Sequence, residues 1–153
     1  MGQMQERQPV QQRRQPPPAP PVAEIEVSLD EAYSGCARQI TLPDRRRWEV
    51  YVPPGIDDGM SLRLPPGLVR IRVRRDPRFG RQGRDLSTAT TVERSLLERG
   101  GDVQVQLAGG GWIRVRVPAG TPADARLRVA GRGMPDVHGG GPGDLYIHLR
   151  AAR

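Results

Sequence analysis

Apolar and polar residues alternate in short runs along most of this chain. A first set reads "EIEVSL", "RQITL", "WEVYV", "SLRL" and "VRIRV"; a second reads "DVQVQL", "WIRVRV", "RLRV" and "DLYIHL". A period of two is the signature of half-buried strands. The runs are separated by "PPG", "DDG", "AGGG" and "PAG", which is turn chemistry. The stretch "VSLDEAYSGCARQITL", Val27 to Leu42, starts as a strand, breaks over small and polar residues, and resumes as a strand. The one helical candidate is short, "TVERSLLER" from Thr91 to Arg99, with Leu96 and Leu97 on one face.

The two sets are copies. A shift of 65 carries Val27 onto Val92, Gly35 onto Gly100, Leu42 onto Leu107, Val52 onto Val117 and Gly55 onto Gly120. Trp48 and Trp112 are 64 apart, which predicts a one-residue adjustment in a hairpin that they begin, with both rings as packing residues. Matching Leu68 to Leu145 gives a shift of 77, so the first copy lacks about twelve residues of the glycine-rich stretch present in the second. The predicted fold class is therefore mainly β. It comprises two tandem small β-sandwich or half-barrel domains, residues 23–75 and 76–150, with "RRDPRFGRQGRD" as a hinge between them. Residues 1–22, rich in Gln, Pro and Arg with almost nothing to bury, are expected to form a disordered leader.

Composition narrows the function classes. The 153 residues contain 24 basic side chains, all Arg, against 17 acids, giving a net charge of +7. The excess is spread along the chain, and interspersed acids dilute any field for nucleic acid. Cys36 is the only cysteine, so no intrachain disulfide forms, and with only His138 and His148 beside it a closed zinc site is not expected. A reducing, cytoplasmic setting fits. No apolar run reaches the length of a membrane span, and the start of the chain lacks a signal-peptide core. The two histidines are ten residues apart and have no nucleophile near them in sequence. "GGGPGD" lacks the Lys-Ser/Thr of a phosphate loop. Neither an enzyme nor a cofactor is expected.

Four segments carry a family resemblance. "VSLDEAYSGCARQITL" resembles the first strand-turn-strand element of the DnaJ C-terminal substrate-binding region, and "VYVPPGIDDGMSLRL" the hairpin that follows it. "DPRFGRQGRDL" is similar to that family's inter-domain junction, and "VRVPAGTPADARLRVAGRGMPDVHGGGPGDLYIHL" to the end of its second domain. The likeness spans roughly residues 23–150. Departures are equally clear: no His-Pro-Asp of a J-domain and no CxxCxGxG of the zinc-binding insertion occur in this sequence, and the C-terminal segment through which many relatives dimerise is not expected.

The resemblance implies a chaperone unit that holds unfolded client polypeptide in an apolar groove of the first domain. The same groove would receive the acidic tail of a DnaK-type chaperone. Carried over residue by residue, the groove positions are Ile25, Ile40, Leu42 and Phe79, with Arg38 as the basic position facing an acidic tail. On alternation alone Ile25, Ile40 and Leu42 read as core. Phe79 is the only Phe and lies among Arg and Gly, so it either plugs an interface or stands as an exposed anchor. A second reading, from a different class, is a small arginine-rich β-module that binds nucleic acid through strands such as "VRIRVRR". Aromatics at 4% are few for base stacking, and Arg alternation usually marks a solvated face.

Overall fold

The computed structural model describes residues 22–64 and 67–153; the nine alternating runs become nine strands among them, and two more form at Gly80–Gln82, inside the expected hinge, and at Asp85–Val92, where polar Ser and Thr on both sides hide the alternation. The leader expectation, residues 1–22, falls outside the described residues except for Val22, and so do Pro65 and Pro66 of one "PPG" turn. The first repeat runs β1 (Ala23–Val27), α1 (Leu29–Ser34), β2 (Cys36–Thr41), β3 (Arg47–Val52), β4 (Ser61–Leu64) and β5 (Gly67–Val73). A short β6 (Gly80–Gln82) follows. The second repeat is β7 (Asp85–Val92), α2 (Arg94–Arg99), β8 (Gly101–Gln106), β9 (Trp112–Val117), β10 (Arg126–Val129) and β11 (Leu145–Ala151).

The bounds of α1, β2, β3 and β4 recur 65 residues later as α2, β8, β9 and β10. This corrects three expectations. First, the hairpins need no one-residue adjustment. Trp112 stands where the first repeat has Arg47, on the outer face, and is 64% exposed; Trp48 lies one position on, half-buried on the inner face. A single step along a strand reverses the side. Second, Ala23 pairs with Val69 and Thr88 with Ile147, so the last strands are offset by 78 and the inserted stretch is thirteen residues. Matching by leucine had slipped one register. Third, the break after Val27 is a helical turn. Ser28 caps it: the Glu31 amide donates to Ser28 Oγ and the Ser28 amide donates to Glu31 Oε1, each at 3.1 Å. The second helix is confined to Arg94–Arg99, because Thr91 and Val92 belong to β7.

Each repeat closes its first strand on its last. β1 lies parallel to β5, with β4 antiparallel on the far side. β7 lies parallel to β11, flanked by β10 and by β6 from the junction. The hairpins β2–β3 and β8–β9 are separate two-stranded sheets. Inward residues of these strands other than β6, joined by loop residues such as Ile56, Phe79 and Met134, form one continuous apolar cluster that runs from Ile25 and Val27 to Leu149. Each such side chain contributes roughly 1.5–3 kcal/mol of burial.

Specific contacts tie the repeats together. The Arg81 guanidinium donates to the carbonyls of Ile56 at 2.7 Å and Gly55 at 3.1 Å. Asp30 of α1 accepts from Arg78 Nη2, and its Oδ1 takes the Gly109 amide of the β8–β9 turn at 2.9 Å. The glycine-rich stretch of the second repeat is fastened through Met134, fully buried, whose amide donates to the Arg84 carbonyl at 2.7 Å.

Candidate functional site

Strand β2 positions most of the sequence-derived site. Its alternation puts Cys36, Arg38 and Ile40 on the inner face, continued by Leu42 just past the strand end, and puts Ala37, Gln39 and Thr41 outside. Ile40 is half-buried and packs on the core; Leu42 is buried, outside the main cluster. Ile25 on β1 is buried within the cluster. β2 hydrogen-bonds only β3 within its sheet, so its other edge has no strand partner among the described residues.

Arg38 reaches from this face to α1, where Nη2 donates to Glu31 Oε2. The Ser28 amide, and then the positive charge of Arg38, hold the Glu31 carboxyl below the usual carboxylate range against the opposing effect of burial. Arg38 Nε is buried and has no hydrogen-bond partner among the described residues. Burial, then the Glu31 charge, pushes the Cys36 thiol up, which disfavours its thiolate form.

The second repeat builds the matching place differently. Leu96 occupies the position of Glu31, and Val103 that of Arg38. With no ion pair to fill it, a cleft of about 450 Å³ opens between the end of β7, α2 and the start of β8, lined by Thr91, Leu96, Arg99, Val103 and Gln104. Like β2, β8 pairs only one neighbour, β9. The contrast is visible in the sequence, since a shift of 65 sets Leu96 against Glu31 and Val103 against Arg38.

Phe79 sits in the junction. Its ring is 7% exposed, within the shared core, and the Arg78 guanidinium lies 5.3 Å from its centroid. Arg78 also donates to Asp76 Oδ2 at 2.7 Å and its carbonyl accepts from Thr88 Oγ1 at 2.9 Å, so the predicted hinge is pinned on both sides. The hydrogen bonds from Arg78 hold the Asp76 carboxyl below its ordinary value of 3.8, outweighing burial. A depressed folded pKa contributes stability that is complete above the unfolded value and disappears as pH falls through the folded one. Urea midpoints measured from about pH 6 to about pH 2.5 are therefore expected to drop once the pH is below about 4, and Asp76→Asn is expected to flatten part of that slope while lowering the neutral-pH midpoint. An unchanged slope in Asp76→Asn would show that the carboxyl does not drive it.

Sequence reasoning missed the large exposed side chains. Tyr51 and Trp112 are each 64% exposed, on the outer faces of β3 and β9. Strand parity carried that signal once the register was fixed. Among the described residues no helix is long and apolar enough to cross a membrane, and no group of three metal-ligating side chains occurs.

Comparison with known proteins gives a consistent picture. The family model described as DnaJ C terminal domain matches residues 22–152. A protein named Chaperone protein DnaJ from Deinococcus proteolyticus is 42% identical over 134 residues, covering 82% of this chain and 42% of that protein. Proteins of the same name from Ruegeria sp. and Thermotoga neapolitana are 33% and 32% identical, covering 68% and 69% of this chain and 30% and 32% of theirs. The chain thus spans less than half the length of these curated relatives.

Proposed function

Because the chain belongs to the DnaJ C terminal domain family, we propose that it is a chaperone module that binds unfolded or extended polypeptide and assists folding without catalysing a reaction. The observation that carries this reading is the edge of β2, unpaired by any described strand and bordered by the half-buried Ile40 and by Arg38. An extended guest adds to such an edge by main-chain hydrogen bonds, which read no sequence, while apolar side chains beside it select for hydrophobic segments. Ile40 forms the wall of the groove. Ile25, Leu42 and Phe79, the other groove positions that the resemblance implies, are buried, so the surface offered to a guest is that of Ile40 and Arg38.

Arg38 gives the groove a second use. The acidic tail of a DnaK-type chaperone would compete with Glu31 for the guanidinium, so tail binding requires the Glu31–Arg38 pair to open. The matching cleft of the second repeat has Leu96 and Val103 in place of that pair and suits an apolar guest side chain. The lone Cys36 suits a reducing, cytoplasmic setting.

The test is suppression of aggregation of a permanently unfolded client at about 50 mM and about 500 mM salt. The native chain is expected to suppress aggregation at both, and Ile40→Asp to lose most of that activity while its melting curve stays cooperative. Suppression that disappears in high salt would point instead to charge-driven binding of the nucleic-acid kind. Full activity in Ile40→Asp would remove the β2 groove from the account.

A further inference from the structure

The sheet β10–β11–β7–β6 turns its inner side to the core and leaves its outer side open. Register sets out that outer face in rows: Arg128, Tyr146, Ser87 and Gly80; then Arg126, His148 and Ala89; then Arg150 and Thr91. Arg126, Ser87, Ala89 and Arg150 are exposed, and Tyr146 and His148 are half-buried. Two clefts of about 700 and 390 Å³ share Gly80, Ser87, Arg126 and Tyr146, so they form one trough across the strands. Its floor is made of small side chains and its walls of large cationic and aromatic ones.

The charge of the trough is unbalanced. Arg128 is committed to Asp144, with Nη2 at 2.7 Å, and His148 Nε2 stands 3.7 Å from Asp124. Arg126 and Arg150 have no acidic partner among the described residues. One acid, Asp85, lines the trough at one end, where it accepts the Asp144 amide at 2.9 Å, and it offsets only part of the charge of Arg126 and Arg150. We propose that this face is a second binding surface, separate from the β2 groove, and that it takes an extended polypeptide segment carrying carboxylates at alternate positions.

The geometry favours that occupant. Same-face positions on a strand repeat every two residues, about 6.6 Å, which is also the spacing of alternate side chains along an extended guest. A guest lying along β11 therefore meets Tyr146, His148 and Arg150 in step, with Arg126 beside them. A second copy of this chain is disfavoured by its own net charge of +7. A single nucleic-acid strand would need a ring under successive bases. Here Tyr146 is the one accessible benzenoid ring lining the trough; Trp112 lines an adjoining cleft that shares Phe79 and Ala89, and the floor next to Tyr146 is Ser87 and Ala89, so rings do not stand at successive positions.

Fluorescence anisotropy tests this with three probes: a labelled peptide with Glu at alternate positions, its Gln analogue, and a single-stranded RNA of equal charge. The Glu peptide is expected to bind at least about tenfold tighter than the Gln analogue at low salt, and the double variant Arg126→Gln/Arg150→Gln to lose about tenfold for the Glu peptide. Both replaced side chains are exposed, and circular dichroism checks that the variant is folded. Ile40→Asp is expected to keep Glu-peptide binding, which separates this surface from the β2 groove whatever becomes of that groove. Equal binding of the Glu and Gln peptides, no loss in the double variant, or tighter RNA binding that the double variant abolishes would each overturn the proposal.

Discussion

Phe79→Ala is expected to destabilise the chain by roughly 3–5 kcal/mol, the usual range for truncating a buried phenylalanine. The ring is nearly sealed and belongs to the apolar cluster that runs through both repeats. Alanine would leave a void between Leu29 on one side and Val105 on the other, both of which border clefts that the ring lines. It would also remove the surface on which Arg78 rests, and Arg78 is the side chain that gathers Asp30 and Asp76. The void and the loosened guanidinium act in the same direction. Urea unfolding followed by the fluorescence of Trp48 and Trp112 measures the loss. Phe79→Leu, which keeps most of the volume, is expected to lose about 1–1.5 kcal/mol. A loss below about 1 kcal/mol in Phe79→Ala would mean that the ring is a surface anchor after all. Isolated in an Arg- and Gly-rich stretch, Phe79 allowed either reading; the structure places it as a plug.

Gly55→Ala is expected to be nearly as damaging, for a different reason. Gly55 has φ of +91°, and a Cβ there would stand 2.3 Å from the Pro135 carbonyl oxygen and 2.8 Å from the Val137 amide nitrogen. Both atoms are backbone, so no side chain can swing aside. Left-handed strain alone is of order 1 kcal/mol, and displacing the second repeat's glycine-rich stretch adds to it, for a total of roughly 3 kcal/mol. Gly59→Ala is the control: its φ is +85°, and nothing lies within 4 Å of the added atom. It is expected to show the strain without the collision. Hydrogen exchange at the Met134 and Gly143 amides, which bond the carbonyls of Arg84 and Met134, is expected to quicken in Gly55→Ala and stay slow in Gly59→Ala. Equal losses in the two variants would show that the contact with Pro135 carries no stability.

The sequence and the structure agree where the physics is local. Strand runs follow from alternation, and the repeat follows from a constant shift. The first helix was also visible in principle, since Ser28 and Glu31 have capping-box spacing, but six residues are too few to show helical periodicity. Disagreement arises where register decides the outcome. The two tryptophans look equivalent in sequence, yet lie on opposite faces because their strands align one position apart from the match that identity suggests. The β2 positions follow the same rule. Alternation puts Arg38, Ile40 and Leu42 on one side, but how deeply each is covered depends on α1 and on the end of the strand, neither of which the pattern encodes. The cationic trough needed four strands from three parts of the chain to be placed side by side.

The parallel closure of each repeat also sets a timetable. Val27 finds its ladder partner in Val73, and Leu86 in Leu145, across spans of 46 and 59 residues. β1 has no partner next to it in the chain, β7 has only the three-residue β6, and distant pairings form late. As the polypeptide leaves the ribosome, β1 must wait for β5, and β7 must wait for nearly the entire second half. During that interval its own greasy strand edges are bare.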